Sequence, residues 1–329
     1  MLSISNEKRF PTFDREHQLL NIVRQKETKY VKVHTTRDNG VSQPYVVPKE
    51  EQLLLRTYEL QLREFCRKFQ PPMPRFVVGT ALQYMKRFYL VNSAMDYHPK
   101  EILVTCIYLA CKVEEFNVSI DQFVSNIRGD RERAANIILD NELLLMQQLS
   151  YHLTVHNPFR AMEGLLIDIK TRCATMKDPE KLRPGIDEFL EKVYMTDSLF
   201  LFSPSQVALA AIIHAASKLQ ENMDVYVTET LFNGAKQELM SSLIESIRKI
   251  RLMVRNIEQP QREIVKNIER KLAALRIQEE GEVTPRYGAH NRVISDRNNS
   301  LHLTRAEIFT TRTNKSQMGT MIFIETEVD

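Results

Sequence analysis

Two stretches decide the fold of this chain: Leu109 to Glu115, which reads LACKVEE, and Ile137 to Leu149, which reads IILDNELLLMQQL. The first stretch ends a helix of small and apolar residues, and it carries a single lysine, Lys112. The second stretch has Glu142 at its centre. Helices with so few polar side chains are predicted to be mostly buried.

An ion pair between Lys112 and Glu142 follows from the cost of burying charge. A carboxylate on an apolar helix is unfavourable unless a cation or a hydrogen-bond donor accompanies it. Lys112 is the nearest candidate partner along the chain, and it stands on an equally apolar helix. Spacing alone leaves two interpretations open, a buried structural salt bridge or a pair that serves a function.

Length and composition favour a helical protein with two domains. The 329 residues suffice for two domains of ordinary size. Hydrophobic residues make up 43% and charged residues 26%, as in soluble globular proteins. The chain has only 9 glycines and no tryptophan, and its long stretches rich in leucine, glutamate, lysine and arginine favour helix over sheet. A net charge of +3 is too small to indicate a nucleic-acid-binding protein.

The four cysteines are predicted to be buried, reduced thiols. They stand at positions 66, 106, 111 and 173 without a C-x-x-C pair, which argues against a zinc ribbon or a redox dithiol. We find neither a signal peptide nor an apolar run as long as a membrane span. A reducing compartment, the cytosol or the nucleus, is therefore expected.

Proline, glycine and charge patterns separate a helical central part of the chain from its two ends. Residues 1–48 form an N-terminal segment with an amphipathic helix that begins near Asp14. Helix follows helix from Lys49 onward, and Pro260 precedes one further amphipathic helix within residues 258–280. Residues 281–329 lack a helical period and are predicted to be disordered.

The helical part contains an internal repeat. When the sequence is shifted by 105 positions, Pro99 falls on Pro204 and Tyr97 on Phe202. The stretch YHPKEILVTCIYLACK then matches FSPSQVALAAIIHAAS in kind at most positions and without a gap. Two consecutive copies of one helical unit explain this match.

The positions that do not match bear on the ion pair. Lys112 falls on Ser217 and Glu142 falls on Ile247, so the second copy keeps the apolar pattern but lacks both charges. A pair that was needed merely to build the unit would be needed in both copies. The difference therefore favours a functional role for the pair in the first copy.

No pattern of a catalytic, cofactor-binding or metal site occurs in the chain. The P-loop, dinucleotide-binding, zinc-protease and nucleophile-elbow motifs are all missing, so we predict no catalytic residue, no cofactor and no metal. One basic helix face contains Arg248, Lys249, Arg251 and Arg255. Cations near a helix C-terminus offset its dipole, and this interpretation is favoured over contacts with phosphate.

Several of these stretches carry a family resemblance. LACKVEE followed by ELLLMQQLSYHL (142–153) resembles the cyclin box. MPRFVVGTALQYMKRFYLVNSAMDYHPKEI (73–102) and LTVHNPFRAMEGLLIDIKTR (153–172) are similar to the cyclins that regulate the CDK-activating kinase. The resemblance extends from about residue 5 to about residue 278, and it is denser in the first copy.

The resemblance implies an all-α protein of two consecutive five-helix cyclin folds with an additional N-terminal and C-terminal helix. The first fold would comprise residues 49–157 and bind a kinase, and the second would comprise residues 158–257. By analogy with cyclins, the residues that face the kinase would be Lys112, Val113, Glu115, Glu142, Met146 and Leu153.

The resemblance also implies partners and a location. The chain would activate a cyclin-dependent kinase, the seventh in the usual naming, together with a RING-finger assembly factor and the TFIIH core in the nucleus. It would have no catalytic activity of its own and no direct contact with nucleic acid or membrane. Alternatives are another transcriptional cyclin of the C, K or T type and a TFIIB-like DNA-binding factor, which would also have a zinc ribbon and a strongly basic surface.

Overall fold

The computed structural model describes residues 46–173, 176 and 178–281, and this part of the chain contains helices, turns and loops but no strand. The amphipathic helix predicted near Asp14 lies outside the described residues, and so does the predicted tail beyond Gly281. For the described residues, the prediction of an all-α protein built from two consecutive helical units is confirmed. The segment boundaries at 48, 157, 257 and 280 stay predictions.

The two copies of the unit follow each other along the chain. The helices of the first copy are α1 (Pro48–Lys68), α2 (Arg75–Val91), α3 (Pro99–Val113), α4 (Ile120–Ser125) and α5 (Arg131–Gln148). Those of the second copy are α6 (Phe159–Arg172), α7 (Arg183–Val193), α8 (Ser198–Leu201), α9 (Pro204–Lys218) and α10 (Gln237–Arg255), with a 3-10 turn at Pro179–Leu182 and a π-helical segment at Tyr226–Leu231. A last helix, α11 (Arg262–Gly281), follows them.

Helices α3 and α9 occupy corresponding positions in the two copies. Each has 15 residues and begins with a proline, Pro99 or Pro204, at the first helical position, where the missing N–H costs nothing. The residue before each proline caps the helix. His98 accepts a hydrogen bond from a backbone N–H through its side chain, and Ser203 forms a capping box with Gln206.

The correspondence extends to the ends of these two helices. Glu115 and Gln220, which are 105 positions apart, both adopt left-handed backbone conformations, with φ values of 57° and 59°. The next residue of each copy donates its N–H back to the helix, from Phe116 to the Cys111 carbonyl and from Glu221 to the Ala216 carbonyl. The left-handed residue at this position is therefore a property of the repeated unit.

Helices α3 and α9 are also the central helices of their folds. Helix α3 packs against α1, α2 and α5, and α9 packs against α6, α7 and α10. Small residues permit the close approach of α9 and α7, because a Cβ atom on Gly185 would lie 3.0 Å from the Cβ atom of Ala215. Burial of ten α3 residues and eight α9 residues makes these two helices the centres of two separate apolar cores.

The buried thiols belong to these cores. All four cysteines are free and buried, which confirms the prediction. Burial raises the pKa of the Cys106 thiol well above its usual value and raises that of Cys111 to about 12. These thiols are therefore held in the protonated, unreactive form.

A polar cluster centred on Asn157 joins the two folds. The Asn157 amide donates to the Thr80 hydroxyl at 3.1 Å, and its carbonyl oxygen accepts from the Tyr194 hydroxyl at 2.6 Å. Helix α2 comes so close here that a Cβ atom on Gly79 would lie 2.5 Å from the Asn157 side chain and 2.6 Å from the Tyr194 hydroxyl oxygen. Glycine is required at this position because any side chain would displace the cluster.

Arg75 extends the junction between the folds. Its guanidinium lies 4.7 Å from the centre of the Phe159 ring, and it pairs with Glu163 at 2.8 Å and with Asp187 at 3.0 Å. Phe159 in turn stacks on Tyr194. One arginine of the first fold therefore contacts two helices of the second.

Helix α11 returns to the first fold. Val265, Ile268 and Leu272 are buried in the apolar core that is built around α3. Lys271 pairs with Glu50 of α1 at 2.5 Å. The helix predicted within residues 258–280 is thus present, and its part up to Leu272 completes the first fold.

The prediction that the helix around Ile137–Leu149 is mostly buried is wrong. Helix α5 starts earlier, at Arg131, because the Asp130 carboxylate caps it by accepting from the backbone N–H of Arg133. Only Ile138, Leu144 and Leu145 of this helix are buried. Helix α5 packs on α3 and α4 from one side, and no other described part of the chain covers its outer face.

The most deeply buried ion pair joins α1 to α2. Lys86 and Glu59 approach to 2.9 Å, and their side chains are only 7% and 8% exposed. Burial raises the pKa of Glu59, and the positive charge of Lys86 opposes that increase. Each charge therefore depends on the other.

We expect Lys86→Ala to lower the free energy of unfolding by about 3–5 kcal/mol, because it leaves the Glu59 charge buried without its partner. The loss should be smaller at about pH 5 than at about pH 8, since a protonated Glu59 needs no cation. Urea denaturation at both pH values measures the difference.

Lys249→Ala is the matched control, because Lys249 pairs with Glu245 at 2.8 Å on an exposed helix surface. It should change the free energy of unfolding by no more than about 1 kcal/mol. Equal losses in the two variants would contradict a special role for the buried pair.

Candidate protein-binding surface

Lys112 and Glu142 form the ion pair that the sequence predicts. The Lys112 Nζ atom donates to both Glu142 carboxylate oxygens, at 2.7 and 2.9 Å. The Lys112 side chain is 46% exposed and that of Glu142 is 16% exposed. The pair therefore lies at the surface with its cation facing solvent, and it is not a buried salt bridge.

The end of α3 positions Lys112. Residues 106 to 111 before it are buried, so after its exposed first turn the helix reaches solvent again at Lys112. The Lys112 ammonium lies 4.8 Å from the centre of the Tyr108 ring, one turn earlier, which favours a cation there. An ammonium has three N–H donors. Glu142 occupies two of them, so the third can bind a carbonyl oxygen of another molecule.

The residues after Lys112 turn the chain away from the helix. Glu114 caps α3 and accepts a hydrogen bond from the Thr80 hydroxyl, which also contacts Asn157. The side chain of Glu115 is exposed and makes no hydrogen bond within the described part of the chain. Since Gln220 has the same backbone conformation, the conformation of Glu115 is not itself evidence of a site.

The Glu142 carboxylate belongs to a stripe on one face of α5, which we call the α5 stripe: Leu139, Glu142, Leu143 and Met146. The spacing of three and four residues places these side chains on one helix face. Leu139 is 49% exposed and Leu143 is 54% exposed. Large apolar side chains this exposed, next to a charge pair, are typical of a surface that binds another protein.

Three other residues predicted for the site are partly buried. Val113, Met146 and Leu153 each pack against the core of the first fold. The Leu153 carbonyl also accepts a hydrogen bond from the Tyr84 hydroxyl, which fixes the chain after α5. Of the six residues predicted to face a kinase, the described contacts join Lys112 directly to Glu142.

Sequence reasoning missed Leu139, Leu143 and Tyr151 as surface residues. Tyr151 follows α5, is exposed and has a left-handed backbone conformation with φ of 58°. A signal was present in the sequence, because α5 has more apolar residues than a helix packed on one side needs. The side left uncovered depends on how α5 packs, which the sequence alone does not reveal.

Two kinds of feature are absent from the described residues. Among them, no group of three or more histidine, cysteine, aspartate or glutamate side chains could hold a metal ion. In the same part of the chain, no helix is both long and apolar enough to cross a membrane.

Family models match both halves of the chain. Residues 20–154 match the model described as the N-terminal domain of cyclins, and residues 157–255 match the model described as the C-terminal domain. The chain is 43% identical over 273 residues to Cyclin-H of Xenopus laevis, covering 82% of this chain and 84% of that protein. It is 35% identical over 228 residues to Cyclin-H1-1 of Arabidopsis thaliana, covering 68% of this chain and 66% of that protein.

Solved structures share the fold. A chain of the CAK complex from Chaetomium thermophilum, bound to ATP-gamma-S, matches with a TM-score of 0.72 and 24% identity over 86% of this chain and 95% of its own length. A chain of yeast TFIIK (Kin28/Ccl1/Tfb3) matches with a TM-score of 0.62 and 22% identity over 76% of this chain and 99% of its own length. At these identities the likeness concerns the fold alone.

The second copy supplies a test of whether the ion pair is structural. At the corresponding positions it has an exposed Ser217 and a buried Ile247. We expect the double variant Lys112→Ser with Glu142→Ile to change the free energy of unfolding by no more than about 1 kcal/mol, since the exposed pair contributes little. Urea denaturation measures this change, and a loss of about 3 kcal/mol or more would show that the pair holds the fold together.

Proposed function

Because the chain belongs to the cyclin family, and within it to the cyclin H group, we propose that it binds and activates a cyclin-dependent kinase through the surface formed by Lys112, Glu142 and the α5 stripe. The observation that carries this proposal is the half-exposed ion pair beside two exposed leucines, Leu139 and Leu143. The copy of the unit in the second fold has neither charge.

The Lys112–Glu142 pair can form hydrogen bonds with the end of a helix in the partner. Exposed carbonyl oxygens at a helix C-terminus lack intrahelical donors. Lys112 can donate its remaining N–H to such oxygens, while Glu142 holds the ammonium in place through two hydrogen bonds. Glu142 can also accept from main-chain N–H groups of the partner, and the exposed Glu115 lies at the rim of this surface.

The apolar residues supply the binding free energy. Leu139 and Leu143 would be covered by the partner, and Val113, Met146 and Leu153 would add partly buried contacts around them. Apolar residues that exclude water around a charge pair strengthen its hydrogen bonds. The pair then provides orientation, and the leucines provide affinity.

Activation would follow from a shift in the population of kinase conformations. A kinase is active when the lysine–glutamate pair between a strand and its regulatory helix positions the ATP phosphates. A cyclin that binds only the inward position of that helix favours the active state. The chain would contribute binding and no catalytic group of its own.

The complexes in which similar structures were solved extend the proposal to partners. The two solved structures are of a CAK complex and of yeast TFIIK, which contains Kin28, Ccl1 and Tfb3. We propose that this chain joins the seventh cyclin-dependent kinase and a RING-finger assembly factor, and that the trimer associates with the TFIIH core in the nucleus. Its kinase would phosphorylate activation loops of other cyclin-dependent kinases and the C-terminal repeats of RNA polymerase II.

Lys112→Glu tests the proposal directly. We expect it to weaken kinase binding at least about 30-fold, the effect of losing a residue worth about 2 kcal/mol, because two carboxylates would replace the cation–carboxylate pair. Phosphorylation of a polymerase repeat peptide by the reconstituted kinase, titrated with the variant, measures the loss.

Ser217→Glu is the matched control, since Ser217 occupies the position of Lys112 in the second copy and is exposed. It should activate the kinase like the wild type. The double variant Lys112→Ser with Glu142→Ile removes both charges without placing two carboxylates together, so a loss of activation in this variant cannot come from their repulsion. If Lys112→Glu and the double variant, both folded by circular dichroism, activate normally, the proposal fails.

A second variant tests the α5 stripe. Leu143→Ser should weaken kinase binding about tenfold or more, since it removes an exposed apolar side chain that the partner would cover, with little effect on stability. Isothermal titration with the purified kinase measures the affinity. Ile167→Ser, at an equally exposed apolar residue of α6, is the control and should bind normally. Equal affinities for both variants would show that α5 lies outside the interface.

A further inference from the structure

A groove lies between the two folds, away from the residues assigned to the kinase. Its volume is about 760 Å³, and its walls come from α1 of the first fold and from α7, α9 and α10 of the second. The segment between α10 and α11 closes one end. A groove of this size can accommodate several side chains of a bound molecule.

The charge of the groove comes mainly from α10. Arg248, Arg251 and Arg255 line it with a spacing of three and four residues, so all three lie on the face of α10 that forms the wall. Within the described part of the chain none of them forms an ion pair or a hydrogen bond, although Arg251 is half-buried. An arginine held in a groove without a partner is suited to an anionic ligand.

The prediction that this basic face serves the helix dipole is correct for one residue at most. Only Arg255 lies in the last turn of α10. The dipole effect is confined to that turn, so it does not account for Arg248 and Arg251. Lys249 pairs with Glu245 and does not line the groove.

The other cations of the groove already have partners. Arg56 donates to the backbone carbonyls of Met195 at 3.2 Å and Glu258 at 3.3 Å. Lys192 pairs with Glu188 at 2.7 Å. Arg63 lies 3.6 Å from Glu191. The three acidic residues of the lining are Glu188, Glu191 and Glu258, against six lysine and arginine residues, so the arginines of α10 provide the excess positive charge.

Apolar residues line the groove beside the arginines. Leu252 is exposed next to Arg251, and the partly buried residues of this surface are Leu60, Val254 and Ile257. Phe189 lies beneath it in the core and packs on the His214 ring, with ring centres 4.7 Å apart. Burial lowers the pKa of His214, and the nearby Arg251 lowers it further, which favours the neutral imidazole. The groove thus combines guanidinium groups with an apolar surface.

From this arrangement we infer that the groove binds an acidic segment of a partner protein, in which glutamate or aspartate residues alternate with apolar ones. The carboxylates would pair with Arg248, Arg251 and Arg255, and the apolar side chains would contact Leu252 and Val254. A nucleic acid fits less well, because its backbone is charged at every nucleotide and would place phosphates against the exposed Leu252, where an acidic segment can place apolar side chains.

The inference is tested by measuring how tightly the full chain binds a fluorescein-labelled peptide of sequence Glu-Leu-Glu-Asp-Phe-Glu-Asp. Fluorescence anisotropy of the peptide reports binding, at about 50 mM salt, where exposed charges are weakly screened. We expect saturable binding that weakens as salt is added. Arg251→Gln should weaken binding roughly tenfold, as expected for the loss of one charged hydrogen-bonding partner, and Arg248→Gln with Arg251→Gln should weaken it further.

Lys249→Gln is the control, since it removes one positive charge from the same helix but outside the groove, and it should bind like the wild type. Equal affinity of Lys249→Gln and Arg251→Gln would overturn the inference, because binding would then depend on overall charge. It would also be overturned if a single-stranded oligodeoxynucleotide or a phosphorylated peptide without acidic residues bound at the groove while the acidic peptide did not. None of these measurements involves the kinase, so they stand apart from the proposed function.

Discussion

The central helix of each fold is buried through its middle, and this constraint governs where the molecule can carry function. Such a helix presents side chains to another molecule mainly near its ends. In the first fold the end of α3 exposes Lys112 beside the outer face of α5. In the second fold the end of α9 exposes Ser217, and the fold is otherwise built in the same way.

The two folds therefore share a core design and differ at their surfaces. Ile247 is buried in the second core at the position where Glu142 reaches the surface in the first. The Asn157 cluster and the contacts of Arg75 fix the folds against each other through hydrogen bonds and ion pairs. Because the joint is rigid, the groove beside α10 has a defined shape although it is assembled from two folds.

Local signals explain why much of this architecture could be predicted. Pro99 and Pro204 mark helix starts because proline suits the first helical turn, and the repeat followed from aligning them. The ion pair was predictable because Glu142, standing alone among apolar residues, needs a partner nearby. The exposure of Leu139 and Leu143 could not be predicted, because an apolar run does not reveal which side of its helix remains uncovered. The groove could not be predicted either, since Arg56 and Arg251 line the same groove only because the two folds pack together.

The return of α11 to the first fold affects how the protein can be made. Ile268 and Leu272 fill a core whose other members come from residues 46 to 195, and Lys271 pairs with Glu50 across 221 positions. The N-terminus of a chain leaves the ribosome first, and domains generally fold as they emerge. The first fold, however, lacks part of its core until the last helix has left the ribosome. Its apolar surface therefore stays open throughout synthesis of the second fold, which is the interval in which the nascent chain is most exposed to aggregation.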